Sequence, residues 1–146
     1  VFILVGVHIL PPVSNLFPTT LIYSLVKLSI SSCDKIISVF QNVVVGANQD
    51  NAAFPAGRGA DRTAIFAAPA NHPDLPITTL AIAARNVNGL LKSPISPCGA
   101  CRQVVLEIED RYQRPVRILL YGTEGIYVFE SIKDLLPFSF VDANMH

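Results

Sequence analysis

The order of hydrophobic and polar positions divides the chain near Gln41 into two parts. Residues 21–40 mix β-branched side chains with serines and show no clean alternation, so they predict at most one strand, over residues 36–40. From Val43 onward, short apolar runs bounded by glycine, proline or asparagine predict regular elements. The predicted strands of this second part cover residues 43–45, 77–84, 116–121 and 126–130.

Three segments of the second part predict helices. The clearest one ends near Arg114 and has an apolar face whose members recur at spacings of four, three and four: Cys101, Val105, Ile108 and Tyr112. Residues 60–67 predict a second helix, which Pro69 and Pro73 prevent from extending far. Residues 131–136 predict a short last helix that opens with a serine cap. Strands that alternate with helices indicate a three-layer α/β domain rather than a sandwich.

The two parts also differ in charge. The 146-residue chain is 51% hydrophobic and 15% charged, with a net charge of zero, whereas a typical globular domain is about 25% charged. Residues 1–42 hold only three charged side chains: Lys27, Asp34 and Lys35. Polar residues and prolines between Pro11 and Thr20 interrupt the apolar run that a membrane span needs, and no basic segment precedes Val1. We therefore expect an atypical apolar leader over residues 1–42 and one folded domain over residues 43–146, with no membrane segment.

The charge of the chain limits the kinds of partner it can bind, and its cysteine content indicates its cellular compartment. A neutral chain lacks the basic stripe that tracks a nucleic-acid backbone, so we expect a small-molecule ligand and no nucleic acid. Three cysteines and the absence of a convincing export signal favour the reducing cytoplasm.

The segment that carries the most chemistry is Pro97-Cys98-Gly99-Ala100-Cys101. Two cysteines three positions apart, on a turn that enters a helix, can point at one metal ion. The positive potential of a helix N-terminus lowers the pKa of a thiol and favours the thiolate that binds Zn²⁺. Two alternatives are a redox dithiol and a pair of small buried residues. A thioredoxin-like pair usually follows an aromatic residue, often tryptophan, and this chain has no tryptophan.

Residues 97–101 also match the second half of the zinc deaminase signature, P-C-x-x-C, which follows a metal-ligating motif with a glutamate. Upstream, residues 46–55 read GANQDNAAFP and residues 59–66 read GADRTAIF, while residues 135–140 read LLPFSF. With these four motifs in order, residues 43–140 resemble the free-nucleoside cytidine deaminases, the short homotetrameric kind. In that family the two upstream segments look like G-x-N-x-E-N-A-S-Y-P and C-A-E-R-T-A-I-F, and the chain's end looks like L-L-P-x-x-F.

The resemblance implies a three-layer α/β/α fold with a mixed sheet of about five strands. It implies the zinc-dependent hydrolytic deamination of cytidine or deoxycytidine to uridine or deoxyuridine, a step of pyrimidine salvage, with one Zn²⁺ per subunit. It also implies a cytoplasmic homotetramer that takes a small nucleoside and completes each pocket with neighbouring subunits.

Carried over position by position, the resemblance implies a site. Cys98 and Cys101 match two of the three protein ligands of zinc, and Arg62 matches the arginine that offsets thiolate charge. Asn48 and Asp50 match the residues that bind the ribose hydroxyls, and Ala60 matches the residue whose backbone contacts the pyrimidine. Phe54 and Phe140 match aromatic positions near a neighbouring subunit's pocket. The family usually has glutamate where Asp50 stands, and an ordinary core role is the alternative for the two phenylalanines.

Two departures fall on the positions where the chemistry is most demanding. Gly59 stands where the family has its third zinc ligand, Cys or His, and it has no donor atom. Asp61 stands at the position of the catalytic glutamate and is shorter by one methylene, and a misplacement of about 1 Å can lower a rate about a hundredfold. If Asp61 became the third ligand, no general base would remain. Cys33 and His72, the latter expected in an exposed loop, match no ligand position of the family.

A third departure lies in the leader. The family's usual opening helix and its Y-S-x-F-x-V-G-A-A strand are not recognisable in residues 1–42, where Tyr23 and Ser24 stand at the wrong distance from Asn48. We therefore expect the leader to lack this strand of the sheet, as after an altered reading frame or the fusion of a foreign segment.

The departures leave two functions open beside cytidine deamination. The chain could be a catalytically impaired or inactive member that keeps the fold and binds nucleosides, which Gly59 and Asp61 favour directly. It could also deaminate another aminopyrimidine nucleoside, such as a blasticidin-type antibiotic.

Overall fold

The computed structural model describes residues 2–9 and 43–144, and these contain one mixed sheet. Its strands are β1 (Phe2–Ile9), β2 (Val43–Ala47), β3 (Ile77–Asn86), β4 (Gly89–Leu90), β5 (Arg117–Gly122) and β6 (Gly125–Phe129). They lie in the order β2-β1-β3-β5-β6, and β4 pairs with β3. β3 and β5 run parallel, and the other neighbours are antiparallel. The predicted α/β class is confirmed, and every strand predicted from Val43 onward is present with its ends shifted by at most two residues.

Two helices pack on this sheet, α1 (Ala60–Asn71) and α2 (Gly99–Tyr112). The predicted apolar face of α2 is buried or half-buried at each of its positions: Cys101, Val105, Ile108 and Tyr112. α1 runs four residues beyond its predicted end and includes Pro69. Pro69 removes one N–H donor. Because it lies in the last turn, few helical hydrogen bonds remain beyond it, and the helix still closes with the His72 N–H donating to Ala68 at 2.9 Å. Neither helix has the length and apolar composition that a bilayer crossing needs, and the described residues contain no other candidate.

Both faces of the central strands are buried, as a three-layer fold requires. One face forms a single core with α1 and α2, built from Leu80, Ile82, Ile118 and Leu120 of the sheet and Ala64, Ile65, Val105 and Leu106 of the helices. Because both helices contribute to this core, they form one layer. The intervening residues point to the opposite face and are buried as well: Ala81, Ala83, Leu119 and Tyr121.

β1 shows that residues 1–42 do contribute a strand to the sheet, over residues 2–9, where the sequence analysis predicted none. β1 pairs with β2 on one side and with β3 on the other. A strand inside a sheet can be apolar at consecutive positions, so it lacks the alternation by which a half-buried strand is recognised. Residues 10–42 lie outside the described residues, and with them Cys33 and the strand predicted over residues 36–40. The division of the chain after residue 42 stays a prediction.

A buried carboxylate ties the C-terminal end of α2 to the segments that follow it. Glu109 is 5% exposed, and its Oε1 accepts the N–H groups of Val116 at 2.8 Å and Ile132 at 3.0 Å. Its Oε2 accepts the hydroxyl of Ser131 at 2.8 Å. The oxygen of this hydroxyl also accepts a backbone N–H of the helix predicted last, which is present as a 3-10 helix, Ile132–Leu135, with the predicted serine cap.

Candidate active site

A cavity of about 790 Å³ opens where the N-terminal ends of α1 and α2 meet the segment after β2. Six residues that the sequence analysis placed in the site line it: Asn48, Asp50, Asp61, Arg62, Cys98 and Cys101. Gly59 lines it as well. The fold thus brings three segments that are separate in the sequence to one concave surface.

β2 positions the start of α1 beside this cavity. Gly46 lies so close to α1 that a Cβ added to it would meet the Ala60 carbonyl oxygen. Two residues later, the Asn48 Oδ1 accepts the Ala60 N–H at 3.0 Å. Gln49 and Arg58 then exchange two backbone hydrogen bonds of 2.8 and 2.9 Å, which close the loop between them. These contacts fix the first turn of α1 relative to the sheet.

Cys98 and Cys101 lie at the N-terminal end of α2 with their sulfur atoms 2.9 Å apart. Cys98 is the N-cap residue and is exposed, whereas Cys101 is 3% exposed. Burial raises the pKa of Cys98, but hydrogen bonds from Cys101 and from the Ala100 N–H outweigh it, so this pKa lies below its usual range. Burial, and then hydrogen bonding with Asp61 and Cys98, raises the pKa of Cys101 well above its usual range. The two thiols therefore differ in both exposure and acidity.

The Asp61 carboxylate occupies the space beside Gly59. Asp61 is 8% exposed, and its Oδ1 accepts the Arg62 N–H at 2.9 Å. A Cβ added to Gly59 would lie 2.6 Å from the same oxygen, closer than real Cβ atoms approach a neighbour. The carboxylate is also near enough to the Cys101 thiol to raise its pKa. A side chain at position 59 would therefore displace the Asp61 carboxylate from both of these partners.

The zinc centre that the family resemblance implies does not fit these residues. Gly59 supplies no donor, and the described residues contain no group of three or more His, Cys, Asp or Glu that could hold a metal ion. Two sulfurs bound to one tetrahedral zinc lie about 3.8 Å apart, whereas Cys98 and Cys101 are 2.9 Å apart. His72 cannot complete the set, because it caps the far end of α1, about 20 Å along the helix from Gly59. It lies outside the helices and strands, as predicted for a loop residue, but it is half-buried rather than exposed.

Ala60 and Phe140, two further predicted site residues, lie outside the cavity lining. Ala60 is fully buried and gives its N–H to Asn48. Arg62 lines the cavity, and its Nε is buried without a hydrogen-bond partner among the described residues. Phe140 is 58% exposed and lies outside the cavity lining, which excludes the ordinary core role. Phe54 begins a short 3-10 turn after the Asn48 segment.

Sequence reasoning assigned no role to Arg102, which positions the turn before Cys98. Its guanidinium donates to the carbonyl oxygens of Pro97 at 2.9 Å and Leu135 at 2.7 Å, and to the Ser96 hydroxyl at 2.7 Å. This residue therefore ties the cysteine turn to the 3-10 helix near the chain's end. Its place directly after the C-x-x-C motif was the only local signal, because its partners are distant in the sequence.

The comparisons with known proteins point to one family. No protein-family model matches the chain. A cytidine deaminase of Halalkalibacterium halodurans is 30% identical over 105 residues, which cover 72% of this chain and 73% of that protein. The crystal structure of cytidine deaminase from Burkholderia pseudomallei matches with a TM-score of 0.62 and 26% identity, over 85% of this chain and 100% of that one. Cytidine deaminase from Mycobacterium tuberculosis, with a TM-score of 0.52 and 18% identity over 96% of this chain and 80% of its own, shares the fold.

Sequence and structure therefore agree beyond the short motifs. The identity of 30% extends over more than two thirds of both chains, and residues of three of the four motifs line one cavity. The chain belongs to the cytidine deaminase family.

Proposed function

We propose that this chain binds a pyrimidine nucleoside of the cytidine class, and that its hydrolytic deamination of cytidine or deoxycytidine is strongly impaired. The observation that carries the proposal is a cavity lined by the predicted site residues, combined with an incomplete donor set. Gly59 offers no ligand atom, and the Asp61 carboxylate fills the space beside it. The chain keeps the binding function of the family and has lost most of its chemistry.

The cavity suits a small neutral nucleoside in size and polarity. Its volume of about 790 Å³ lies within the range of about 300–1,000 Å³ that is usual for small-molecule sites. Asn48 and Asp50, the proposed partners of the ribose hydroxyls, follow β2 and line the cavity. Ile82 and Ile95 add apolar surface against which a pyrimidine ring can pack. A nucleoside needs both kinds of surface.

The proposed impairment follows from the surroundings of Asp61. Deamination of a cytosine ring needs an activated water and a group that takes up and returns protons at the ring. Asp61 stands at the position of that group, but its carboxylate already accepts the Arg62 N–H. Shorter by one methylene than a glutamate, it reaches less far into the cavity that it lines.

A second candidate is the zinc-dependent deamination itself, performed by the chain as it stands. The convergence of Cys98 and Cys101 on the cavity favours it, as does the buried Nε of Arg62, which could donate to a thiolate. In this case the protein would contain one Zn²⁺ per subunit and act in pyrimidine salvage.

We also propose a cytoplasmic homotetramer in which Phe54 and Phe140 approach the pocket of a neighbouring subunit. The exposure of two large aromatic side chains near the chain's end, Phe138 and Phe140, supports an interface there. Analytical ultracentrifugation of the purified protein tests the assembly directly.

The deciding experiment measures bound zinc and cytidine turnover for the wild-type chain and for the Gly59→Cys/Asp61→Glu double variant. We expect less than one zinc per subunit and negligible turnover in the wild type. In the variant, we expect close to one zinc and an increase in turnover of at least about a hundredfold, because a third donor and the longer acid are restored. Substantial wild-type turnover of cytidine, deoxycytidine or another aminopyrimidine nucleoside would overturn the proposed impairment and favour the second candidate.

Nucleoside binding is tested separately by calorimetry with cytidine and uridine. We expect Asn48→Ala to weaken binding about tenfold, because removing a partner of a bound hydroxyl costs about 1–1.5 kcal/mol. Asn71→Ala, at an exposed asparagine at the opposite end of α1, is the matched control and should leave binding unchanged. No detectable binding of either nucleoside to the folded wild type would overturn the binding function.

A further inference from the structure

We propose that Asn88 is a site of spontaneous covalent modification, at which the backbone of the next residue converts the side-chain amide into a carboxylate. The reaction is deamidation through a cyclic imide, and water is its only co-reactant. Asn88 lies in the turn of residues 87–88 that joins β3 to β4, outside the cavity lining. The modification therefore goes beyond nucleoside binding and does not depend on it.

The residue after Asn88 presents an unobstructed backbone nitrogen to the amide. Gly89 has no side chain, and a Cβ added to it would have no neighbour within 4 Å. Its φ of 111° lies in the region that glycine adopts without strain. No atom of a side chain at position 89 thus stands between this nitrogen and the Asn88 side chain.

The hairpin that contains this nitrogen is held by few strand pairs. Gly89 pairs with Asn86, and Leu90 pairs with Arg85, and these two pairs are all that join β3 to β4. A strand this short opens locally at low cost. Opening frees the Gly89 N–H for the reaction while the long pairing of β3 with β1 and β5 stays in place.

The Asn88 side chain is freer than those of the other asparagines that the structure describes. Asn88 is exposed, and its amide group has no hydrogen-bond partner within this part of the chain. Asn71 is exposed as well, but the N–H that follows it, of His72, donates to Ala68. The side-chain oxygens of the remaining asparagines accept backbone N–H groups: Asn48, Asn51, Asn86 and Asn144.

The proposed reaction is balanced in two steps. First, the Gly89 nitrogen gives its proton to solvent and attacks Cγ of Asn88, which closes an imide ring. The bond between Cγ and Nδ2 breaks, and this nitrogen takes up a proton and leaves as ammonia. Second, a water molecule opens the ring at either of its carbonyl carbons, which gives aspartate or isoaspartate. No group changes its oxidation state, and the chain, whose net charge is zero, gains one negative charge.

The test incubates the full chain at neutral and at mildly alkaline pH, beside the Asn88→Gln variant as the matched control. Anion-exchange chromatography follows the formation of a more acidic species. We expect it to accumulate in the wild type, and faster at the higher pH because the attacking nitrogen must lose its proton. The variant should lack this species, because glutamine would have to close a larger ring. Equal accumulation in the variant would overturn the proposal.

Peptide mapping by mass spectrometry then locates the change. Conversion at Asn88 should be at least about fivefold faster than at Asn51 or Asn86, whose side chains must first give up an ordinary hydrogen bond. Comparable rates at the three positions contradict the proposal.

The chemical nature of the product tests the ring step. Part of the product at position 88 should be isoaspartate, detected by enzymatic methylation, because only opening of the ring yields it. Aspartate alone would indicate direct hydrolysis and contradict the attack by Gly89. Because no measurement involves a nucleoside or a metal ion, a negative result here leaves the proposed function unaffected.

Discussion

The two ends of α2 differ in how completely their polar groups are paired. At the C-terminal end, the buried Glu109 accepts three hydrogen bonds from two segments that follow the helix. At the N-terminal end, Cys98 and Cys101 contact each other, and Gly59 brings no third donor to them. The first arrangement is complete within the described residues, and the second is not.

The contrast separates the groups that hold the site in place from the groups that would perform its chemistry. Arg102 still fixes the cysteine turn, and Asn48 still holds the start of α1. These scaffold contacts involve no metal ligand. We therefore expect this chain to fold without a metal ion. The substitutions below test this expectation and are given in order of decreasing effect.

Glu109→Ala is expected to give the largest effect. It leaves the Val116 and Ile132 N–H groups and the Ser131 hydroxyl without their acceptor, so the free energy of unfolding should fall by about 3 kcal/mol. Urea denaturation measures it. Glu107→Ala, an exposed position of the same helix, is the control and should change stability by no more than about 0.5 kcal/mol. Equal effects of the two substitutions would contradict the anchoring role.

Gly46→Ala is expected to lower the free energy of unfolding by about 2 kcal/mol. Its Cβ would meet the backbone of α1 at Ala60 and lie 2.5 Å from the Ala64 nitrogen, so the helix must move. Thermal unfolding detects the change, and nucleoside binding should weaken with it. Gly99→Ala is the matched control, since a Cβ there has no neighbour within 4 Å. A tolerated Gly46→Ala would show that the close contact between β2 and α1 is dispensable.

Arg102→Met is expected to destabilise the fold by about 1.5 kcal/mol, because three hydrogen bonds from a charged donor are lost at partly exposed groups. The comparison is with Arg111→Met, an exposed arginine in the last turn of α2. Thermal unfolding of both variants measures the difference. If the two variants behave alike, Arg102 does not position the cysteine turn.

Metal removal is expected to have the smallest effect. A ligand stabilises a protein only by binding the native state, and the described residues offer no group of three donors. Dialysis against a chelator should therefore leave the melting temperature of the wild type unchanged, whereas it should lower that of the Gly59→Cys/Asp61→Glu variant. A clear fall for the wild type would show that a metal ion supports this fold after all.

The fold from Val43 onward could be predicted because each element repeats a local pattern. The spacing of Cys101, Val105 and Ile108 predicts one face of α2, and these residues are buried there. β1 could not be predicted, because its apolar run is recognisable as a strand only from its pairing with β2 and β3 on either side. The extension of α1 past Pro69 was missed for a related reason, since packing of the helix outweighs one lost hydrogen bond.

The candidate site could be predicted in composition but not in geometry. Motif positions indicated Asn48, Asp61, Cys98 and Cys101, and the cavity contains all four. The turn of the Asp61 carboxylate towards Gly59 and Cys101 has no signature in the sequence. The orientation of this carboxylate depends on the space that the neighbouring residues leave around it, and residue types alone do not specify that space.

The sequence by itself determined the elements after residue 42, the family and the loss of a ligand atom at Gly59, because these depend on residue identity and on neighbours a few positions apart. Only the tertiary structure decided which polar groups have hydrogen-bond partners. Glu109 finds Ile132 across 23 positions and Arg102 finds Leu135 across 33. Hydrogen bonding and burial depend on distances in space, and folding sets those distances between residues that the sequence keeps far apart.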